Sequence, residues 1–287
     1  MMDQAPPLID WHSDWKSAHL RDLHPKDLHQ ANALRARGDT ALPLPRPGDL
    51  HLWRIHADAE LPELEARCRA TLSAAEFARG QRLRASNLRR RFLLSHYACR
   101  RIFGAYLDCE ASAIDFAYSA TGKPRITAPA APIGSGVGYG AGSGAWLGDG
   151  LGDGTGMEFN LSTTGDLTLL ALRWREPLGL DAEILCDRGD TLGIARRMFG
   201  DAEAERLRQL QAEERLLAFF TAWTALEARV KRDGRGLPGY RLPDTPDIQV
   251  AHARPRADAL CAIASRTLPP PSDWITREWI ARDWQDS

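Results

Sequence analysis

The sequence lacks several features that define whole classes of protein. It has five cysteines, an odd number, and none of them forms a Cys-x-x-Cys pair, which argues against a disulfide framework and a structural zinc site. No apolar run is long enough for a membrane span, and the first residues show no basic segment followed by an apolar one. We therefore expect a reduced, cytoplasmic protein with no membrane segment.

An excess of charge of one sign is also missing. Lysine and arginine number 37 and aspartate and glutamate 38, so the formal net charge is −1. The arginines between Arg82 and Arg101 are not accompanied by a recognised nucleic-acid-binding motif. We therefore expect no nucleic-acid partner. The hydrophobic share of 44% over 287 residues is sufficient for a sizeable folded core.

The sequence does contain short strand patterns alternating with long helical ones. His51–His56 alternates apolar side chains as a strand does, and a helical pattern follows from about Glu63 to Leu107. Leu167–Trp174 and Leu178–Glu183 are expected to be strands of one sheet joined by a turn. A second long helix is expected over 212–232, because Gly234 follows it as a helix-ending glycine. This mixture predicts an α+β fold.

Composition divides the chain into four segments. Residues 1–48 form an N-terminal extension or linker that ends in a proline-rich stretch. Residues 49–126 are the first structured half, and 158–287 are the second half with a tryptophan-rich C-terminal tail. Between them, residues 127–157 are dominated by glycine, alanine and proline. Such a segment buries too little apolar surface to offset its ordering entropy, so a flexible insert is expected.

The first chemically suggestive pattern is Gly179-Leu-Asp-Ala-Glu183. Side chains alternate along a strand, so Asp181 and Glu183 lie on the same face. Two neighbouring carboxylates repel each other unless a cation neutralises them, and Mg²⁺ is typically held by one or two carboxylates, substrate phosphates and water. From this pattern alone, a solvated acidic pair at a strand end is the preferred interpretation, and metal binding is the alternative.

The second pattern lies on the helix that follows. Trp223, Glu227 and Lys231 are spaced four residues apart and share one helical face. In isolation this face also fits a core tryptophan beside an ordinary glutamate–lysine pair. His96, on the earlier helix, is expected to be a packing or capping residue and not a ligand.

The order and spacing of these motifs resemble the Sfp-type 4′-phosphopantetheinyl transferases. The matching pieces are Gly122-Lys-Pro124, Phe159-Asn-Leu-Ser162, Gly179-x-Asp-x-Glu183 and Trp223-Thr-x-x-Glu-Ala-x-x-Lys231, followed by Gly-x-Gly-Leu. The resemblance covers roughly residues 50 to 265. Each motif is weak by itself, and the four in this order make a specific signal.

The resemblance implies a fold and a reaction. The fold would be two similar halves related by a pseudo-twofold, each a small sheet packed on a long helix, with coenzyme A in the cleft between them. The reaction would be the magnesium-dependent transfer of 4′-phosphopantetheine from coenzyme A to a serine of an apo acyl or peptidyl carrier protein, releasing 3′,5′-ADP. Because the halves would pack as an internal dimer, a monomer is expected.

The resemblance also implies a role for individual residues. The magnesium ligands would be Asp181, Glu183 and Glu227, and the catalytic residues Glu227 and Lys231. The coenzyme A-binding residues would be Arg79, Arg91, Gly122, Lys123, Pro124, Ser162, Thr163 and Lys231.

Two positions depart from the family pattern. Thr163 stands where the family usually has a histidine, and Leu226 stands where it usually has a lysine. Each loses a positive charge near the expected phosphates, and a lost charge-assisted hydrogen bond costs roughly 1.5–3 kcal/mol. The alternative is therefore a catalytically weak homologue that acts as a coenzyme A or carrier-protein binding module.

Overall fold

The computed structural model describes residues 9–10, 42–127, 156–243 and 245–281. Within these ranges the chain forms ten strands and six α-helices. The strands are β1 (Ile9–Asp10), β2 (His51–His56), β3 (Asp115–Tyr118), β4 (Pro124–Thr127), β5 (Met157–Thr164), β6 (Leu167–Trp174), β7 (Leu178–Ile184), β8 (Gln249–Arg256), β9 (Ala259–Ser265) and β10 (Ile275–Trp279). The helices are α1 (Leu64–Thr71), α2 (Ala74–Gln81), α3 (Ser86–Leu107), α4 (Thr191–Phe199), α5 (Asp201–Arg208) and α6 (Ala212–Asp233).

The strands form three small sheets, which confirms the predicted α+β class. One sheet has the order β10-β2-β6-β5, the second has the order β1-β8-β9-β7, and β3 and β4 form a separate hairpin. Most pairs are antiparallel, and β10 with β2 and β1 with β8 are parallel. The predicted pseudo-twofold relation between the halves stays a prediction.

The expectation that β6 and β7 belong to one sheet is wrong. β6 pairs with β2 on one side and β5 on the other, whereas β7 pairs with β9. Because both edges of β6 are taken, no free edge remains for β7, and the chain passes into the second sheet at Arg175–Pro177. Nearly every residue of β6 is buried, as a central strand covered on both faces should be.

The helical region from Glu63 to Leu107 is divided into three helices and is not continuous. Leu72 has extended backbone angles, and Ser73 begins α2 with a full capping box that involves the side chain of Glu76. The chain leaves helical geometry again between α2 and α3. The second long helix, α6, is confirmed, and Gly234 ends it in the left-handed conformation with φ +73°.

The side chains of β6 alternate between two hydrophobic cores. Leu170 and Leu172 join the core built by α3, whereas Leu169 and Ala171 join a second core shared with Leu180 and other residues of the β7–β9 sheet. Helix α6 packs on the outer face of that second sheet. The layers are therefore helix, sheet, sheet and helix, and the edge strands β5 and β7 meet where the two sheets adjoin.

The described residues cover the four predicted segments only in part. Most of the extension 1–48 and residues 128–155 of the insert lie outside the described residues, so the four-segment division stays a prediction. In the tryptophan-rich tail, Trp274 and Trp279 are buried, whereas Trp284 lies outside the described residues. No helix in the described ranges has the length and apolar character needed to cross a membrane.

Candidate active site

The acidic motif of β7 faces helix α6. Gly179, Asp181 and Glu183 alternate with Leu180 and Ala182, whose side chains belong to the core between the sheets. The acidic side chains therefore emerge on the opposite face. There Asp181 meets Lys231 of α6, and Glu183 meets Trp223, two turns earlier on the same helix. The alternation of the strand and the four-residue spacing of the helix each place these side chains on one face, and the two faces meet as the family resemblance implies.

Asp181 is the most buried carboxylate of the group, with 4% of its surface exposed. Its Oδ1 atom accepts a 2.6 Å hydrogen bond from Nζ of Lys231 and a 3.1 Å hydrogen bond from Oγ of Ser162. Its Oδ2 atom is buried and has no hydrogen-bond partner in the described part of the chain. A buried carboxylate oxygen without a partner is costly, and it leaves one ligand position available in the site.

Glu183 is held by two donors. Its Oε1 accepts from the indole Nε1 of Trp223 at 3.0 Å, and its Oε2 accepts from Nη2 of Arg188 at 2.6 Å. Burial raises the pKa of Glu183, and the adjacent Asp181 carboxylate raises it further, against the opposing effect of the donors and Lys231. The local field therefore favours adding positive charge beside this carboxylate.

Glu227 lies one helical turn from both Trp223 and Lys231 on α6. Burial raises its pKa, the Asp181 carboxylate raises it next, and Glu183 also raises it, while Lys231 lowers it. Each of the three carboxylates therefore lies within the electrostatic range of the others. The three predicted metal ligands and Lys231 therefore lie in one region between β7 and α6, where Lys231 contacts Asp181 directly and Glu227 is within electrostatic range of both other carboxylates.

The carboxylates fit a divalent cation without forming a complete cage. In the described ranges no group of three or more His, Cys, Asp or Glu side chains stands close enough to hold a metal ion. Mg²⁺ commonly takes only one or two carboxylates and completes its shell with phosphate oxygens and water. Two observations fit such a set of ligands in the absence of its cation. Oδ2 of Asp181 has no partner in the described part of the chain, and the pKa values of Glu183 and Glu227 are raised.

A cavity of about 270 Å³ is lined by residues of α2, α3 and the β3–β4 hairpin on one side and by residues of β5 and β6 on the other. Its apolar wall is aromatic and includes Phe103, Phe116 and Phe159. Its remaining lining includes three of the predicted coenzyme A-binding residues, which are Arg79, Gly122 and Pro124. Asn160 of β5 also lines it, and Ser162, two residues further along the same strand, hydrogen-bonds Asp181. Strand β5 therefore runs from the cavity to the carboxylates.

Lys123 does not share the surroundings of its two neighbours. Its Nζ donates to the carbonyl oxygen of Arg232, at the end of α6, and to that of Leu178, at the start of β7, at 3.2 Å. Burial lowers its pKa. The amine therefore joins the β3–β4 hairpin to the two elements that carry the carboxylates, and the wall of the cavity is formed by Gly122 and Pro124.

Arg91 and Thr163 are not among the described residues that line the cavity. Arg91 forms a bidentate pair with Asp58, with Nη2 to Oδ2 at 2.6 Å. Thr163 is exposed, and its Oγ1 lies 2.9 Å from Oγ1 of Thr168. The coenzyme A roles that the resemblance implies for these two residues, and for Ser162, stay predictions.

His96 stacks its ring on Phe92, and its Nδ1 lies 2.9 Å from the carbonyl oxygen of Phe92, one turn earlier within α3. It also lines the cavity, so the expectation that it is not a ligand stays a prediction. Arg188 and the buried pair of Glu76 with Arg100 beside the cavity were not predicted from the sequence. A Ser-x-x-Glu spacing at Ser73 is the signal that could have placed Glu76 at a helix start. No sequence pattern identified Arg188, because it lies in an irregular loop five residues beyond Glu183.

The known proteins that this chain resembles are described as 4′-phosphopantetheinyl transferases. Residues 177–284 match the family model described as the 4′-phosphopantetheinyl transferase superfamily. The 4′-phosphopantetheinyl transferase HetI of Nostoc sp. is 34% identical over 201 residues, which are 68% of this chain and 75% of that protein. A Synechocystis sp. protein, slr0495, named provisionally as a transferase of the same kind, is 28% identical over 72% of this chain and 73% of its own. The transferase AcpT of Salmonella typhimurium is 34% identical over 26% of this chain and 40% of its own.

Proposed function

This chain belongs to the 4′-phosphopantetheinyl transferase superfamily, and on that premise we propose that it transfers 4′-phosphopantetheine from coenzyme A to a serine of an apo carrier protein. The observation that carries the proposal is the contact of Asp181 on β7 with Lys231 on α6, beside Glu183, which Trp223 of the same helix binds. Glu227 lies on α6 between Trp223 and Lys231, within electrostatic range of both carboxylates. Three carboxylates beside one ammonium group, with one carboxylate oxygen unpartnered, form a site for a cation and a phosphate ester.

The reaction exchanges one phosphorus–oxygen bond for another. The serine oxygen bonds to the β-phosphorus of coenzyme A, the bond from that phosphorus to the bridging oxygen of the diphosphate breaks, and 3′,5′-ADP leaves with the electron pair. Asp181, Glu183 and Glu227 would hold Mg²⁺, which when bound would stabilise negative charge on the phosphate oxygens. Lys231 supplies a positive charge at the same point and is 31% exposed, so a phosphate oxygen can reach it.

The serine proton must pass to a base. Glu227 is the candidate, directly or through a water molecule that it orients, because its half-buried carboxyl has a raised pKa. A raised pKa makes a carboxylate a better proton acceptor near neutral pH. Asp181 is less suited to this task, because its Oδ1 already accepts from Lys231 and Ser162.

Coenzyme A is proposed to lie between the cavity and the carboxylates. Gly122 and Pro124 offer a surface without charged groups, and Arg79 offers an exposed guanidinium to a phosphate. We keep Arg91, Lys123, Ser162 and Thr163 as proposed members of the same region from the family resemblance. A monomer acting on an acyl or peptidyl carrier protein, in the manner of a holo-[acyl-carrier-protein] synthase, remains part of the proposal.

The test is intact-mass spectrometry of apo carrier proteins incubated with this protein, coenzyme A and Mg²⁺. We expect a gain of one phosphopantetheine arm, roughly 340 Da from its chemical formula, that is lost with chelator and in Glu227→Gln. Glu214→Gln is the matched control, since Glu214 is exposed on the first turn of the same helix. Coenzyme A binding without transfer to any carrier would contradict the proposal and support the binding-module alternative raised by Thr163 and Leu226.

A further inference from the structure

The two sheets of the molecule are joined edge to edge by side chains. β5 is the last strand of one sheet and β7 the last strand of the other, so each has an edge that its own sheet leaves unpaired. Backbone groups on such an edge need partners when they are buried. At this junction, side chains of β5 provide them.

Three alternate residues of β5 accept hydrogen bonds from three alternate backbone N–H groups of β7. Oδ1 of Asn160 accepts from the N–H of Leu180 at 3.0 Å, and Oγ of Ser162 accepts from that of Ala182 at 3.1 Å. Oγ1 of Thr164 accepts from the N–H of Ile184 at 3.2 Å. The offset is twenty residues each time, so the strands run parallel in a fixed register set by side chains.

Each hydroxyl in this series also faces a carboxylate. A hydroxyl that accepts from a backbone N–H still has its own hydrogen to donate. Ser162 donates to Oδ1 of Asp181 at 3.1 Å, and Thr164 approaches Oε2 of Glu183 at 3.5 Å. Ser162 and Thr164 therefore repeat one arrangement. Each hydroxyl accepts from the backbone N–H twenty residues later in the chain and faces the carboxylate nineteen residues later.

We propose that Ser162 and Thr164 are positioning residues, which fix the carboxylates of Asp181 and Glu183 relative to the backbone of β7. Thr164 is the new element, and it orients Glu183 together with Trp223 and Arg188, which bind the same carboxylate. Asn160 occupies the equivalent place opposite Gly179, where no carboxylate exists, and it sets the register at the cavity end. This inference rests on the proposed function only where it concerns cation binding.

The variant that tests the proposal is Thr164→Val, which removes the hydroxyl and keeps the branched shape. Trp223 serves as the reporter, because its indole N–H donates to Glu183 and responds to the position of that carboxylate without any ligand. In protein labelled with ¹⁵N-tryptophan, its signal is assigned among the nine tryptophans by its loss in Trp223→Phe. We expect Thr164→Val to shift that signal and to weaken Mn²⁺ binding, followed by electron paramagnetic resonance, about tenfold.

Two comparison variants separate positioning from general damage. Thr164→Ser keeps the hydroxyl and is expected to restore both the indole signal and the Mn²⁺ affinity. Thr276→Val makes the same substitution on β10, at the opposite edge of the same sheet, and is expected to change neither. If Thr164→Val does not fold, Thr164→Ala, which introduces no additional methyl group, takes its place.

An unchanged indole signal together with wild-type Mn²⁺ affinity in the folded Thr164 variant would overturn the proposal. A shifted indole signal without a change in Mn²⁺ affinity would refute the link between Thr164 and the cation. If the wild-type protein binds no Mn²⁺ and transfers nothing, the proposed function falls, and the Trp223 signal alone still decides whether Thr164 positions Glu183.

Discussion

Gly179 lies directly against the backbone of Arg232. A Cβ atom built at position 179 would fall 2.4 Å from the backbone nitrogen of Arg232 and 1.9 Å from the carbonyl oxygen of Ala228. Helix α6 therefore approaches β7 more closely than any residue with a side chain would allow. This close approach brings Lys231, the neighbour of Arg232, within 2.6 Å of Asp181.

Replacing Gly179 by alanine should destabilise the protein and damage the site together. The clash involves backbone atoms on both sides, so the helix must move outward, and overpacking of this kind costs about 1–3 kcal/mol. Urea unfolding followed by circular dichroism measures the loss. Gly239→Ala is the comparison, because the three atoms nearest its Cβ all belong to the side chain of Arg235, the nearest being Cβ at 3.1 Å, and none is a backbone atom. Equal stability of the two variants would contradict the expectation.

Substituting Lys231 by methionine should lower both activity and stability. The change leaves Asp181 buried without its cationic partner, and we expect a loss of about 1–3 kcal/mol in unfolding free energy. Loss of a charge beside the reacting phosphate should reduce kcat by about 10²–10³-fold. Urea unfolding and steady-state transfer to a carrier protein give the two values.

The two effects of the Lys231 substitution are separable with a second change. Lys231→Met combined with Asp181→Asn removes the uncompensated charge and should recover part of the stability. Activity should not recover, because both the ammonium and a cation-binding carboxylate are then missing. Recovery of activity in the double variant would show that Lys231 acts only by stabilising Asp181.

Local patterns predicted the central elements of the fold because those elements are regular and strongly patterned. β2 and β6 have the bounds expected from the sequence, and α6 differs by one residue at its end. The strands β8 and β10 were missed; β10 is an edge strand, whereas β8 lies between β1 and β9. β8 contains Pro255 at a shift of register, and proline argues against a strand assignment. β10 is short and charged, and its pairing with β2 links residues more than 200 positions apart.

The site was predictable to the extent that it follows from periodicity. A period of two on β7 placed Asp181 and Glu183 on one face of the strand, and a spacing of four on α6 placed Lys231 on one face of the helix. That the two faces meet was implied only by the family resemblance. The partners of Lys123 and Arg188 were not predictable, because they depend on how a hairpin and a loop dock against distant elements. The same applies to Thr164, whose bond with the N–H of Ile184 exists only because two sheet edges meet there.

Lys123 is expected to matter more for stability than for coenzyme A affinity. Its ammonium group holds the carbonyl oxygens of Leu178 and Arg232, and losing such charge-assisted hydrogen bonds costs about 1.5–3 kcal/mol. Lys123→Met should therefore lower the urea midpoint while the Kd for coenzyme A, measured by calorimetry below the unfolding range, changes less than threefold. A large rise in Kd with unchanged stability would show that Lys123 binds the nucleotide instead.

Arg79, in contrast to Lys123, is expected to matter for coenzyme A binding. Its exposed guanidinium lines the cavity and stands over the ring of Phe92 at 5.6 Å. Arg79→Ala should raise the KM for coenzyme A about tenfold with little change in kcat, because it removes binding that substrate and transition state share. Arg91→Ala breaks the pair with Asp58 and is expected to raise KM less. The reverse ranking in steady-state kinetics would place the phosphate near Arg91.

Replacing Glu227 by glutamine should abolish transfer and yet stabilise the protein measured without divalent cations. Burial and the carboxylates of Asp181 and Glu183 raise the pKa of Glu227 in the folded state above its ordinary value. The folded protein therefore holds this proton more tightly than the unfolded chain, and its contribution to stability is present at low pH. That contribution is lost as pH rises through the raised pKa, because the unfolded state binds fewer protons there.

The neutral amide in Glu227→Gln removes this repulsion, so the variant should gain on the order of 1 kcal/mol over wild type at neutral pH, an amount limited by solvent screening of the half-exposed group. The gain should shrink towards pH 4, because below the ordinary pKa of a glutamate the unfolded chain also binds most of this proton. Urea unfolding from pH 4 to 8 in the presence of chelator measures the difference. A variant that is less stable than wild type at neutral pH would mean that Glu227 makes a favourable contact in the folded protein, and the carboxylates would then need no cation to relieve them.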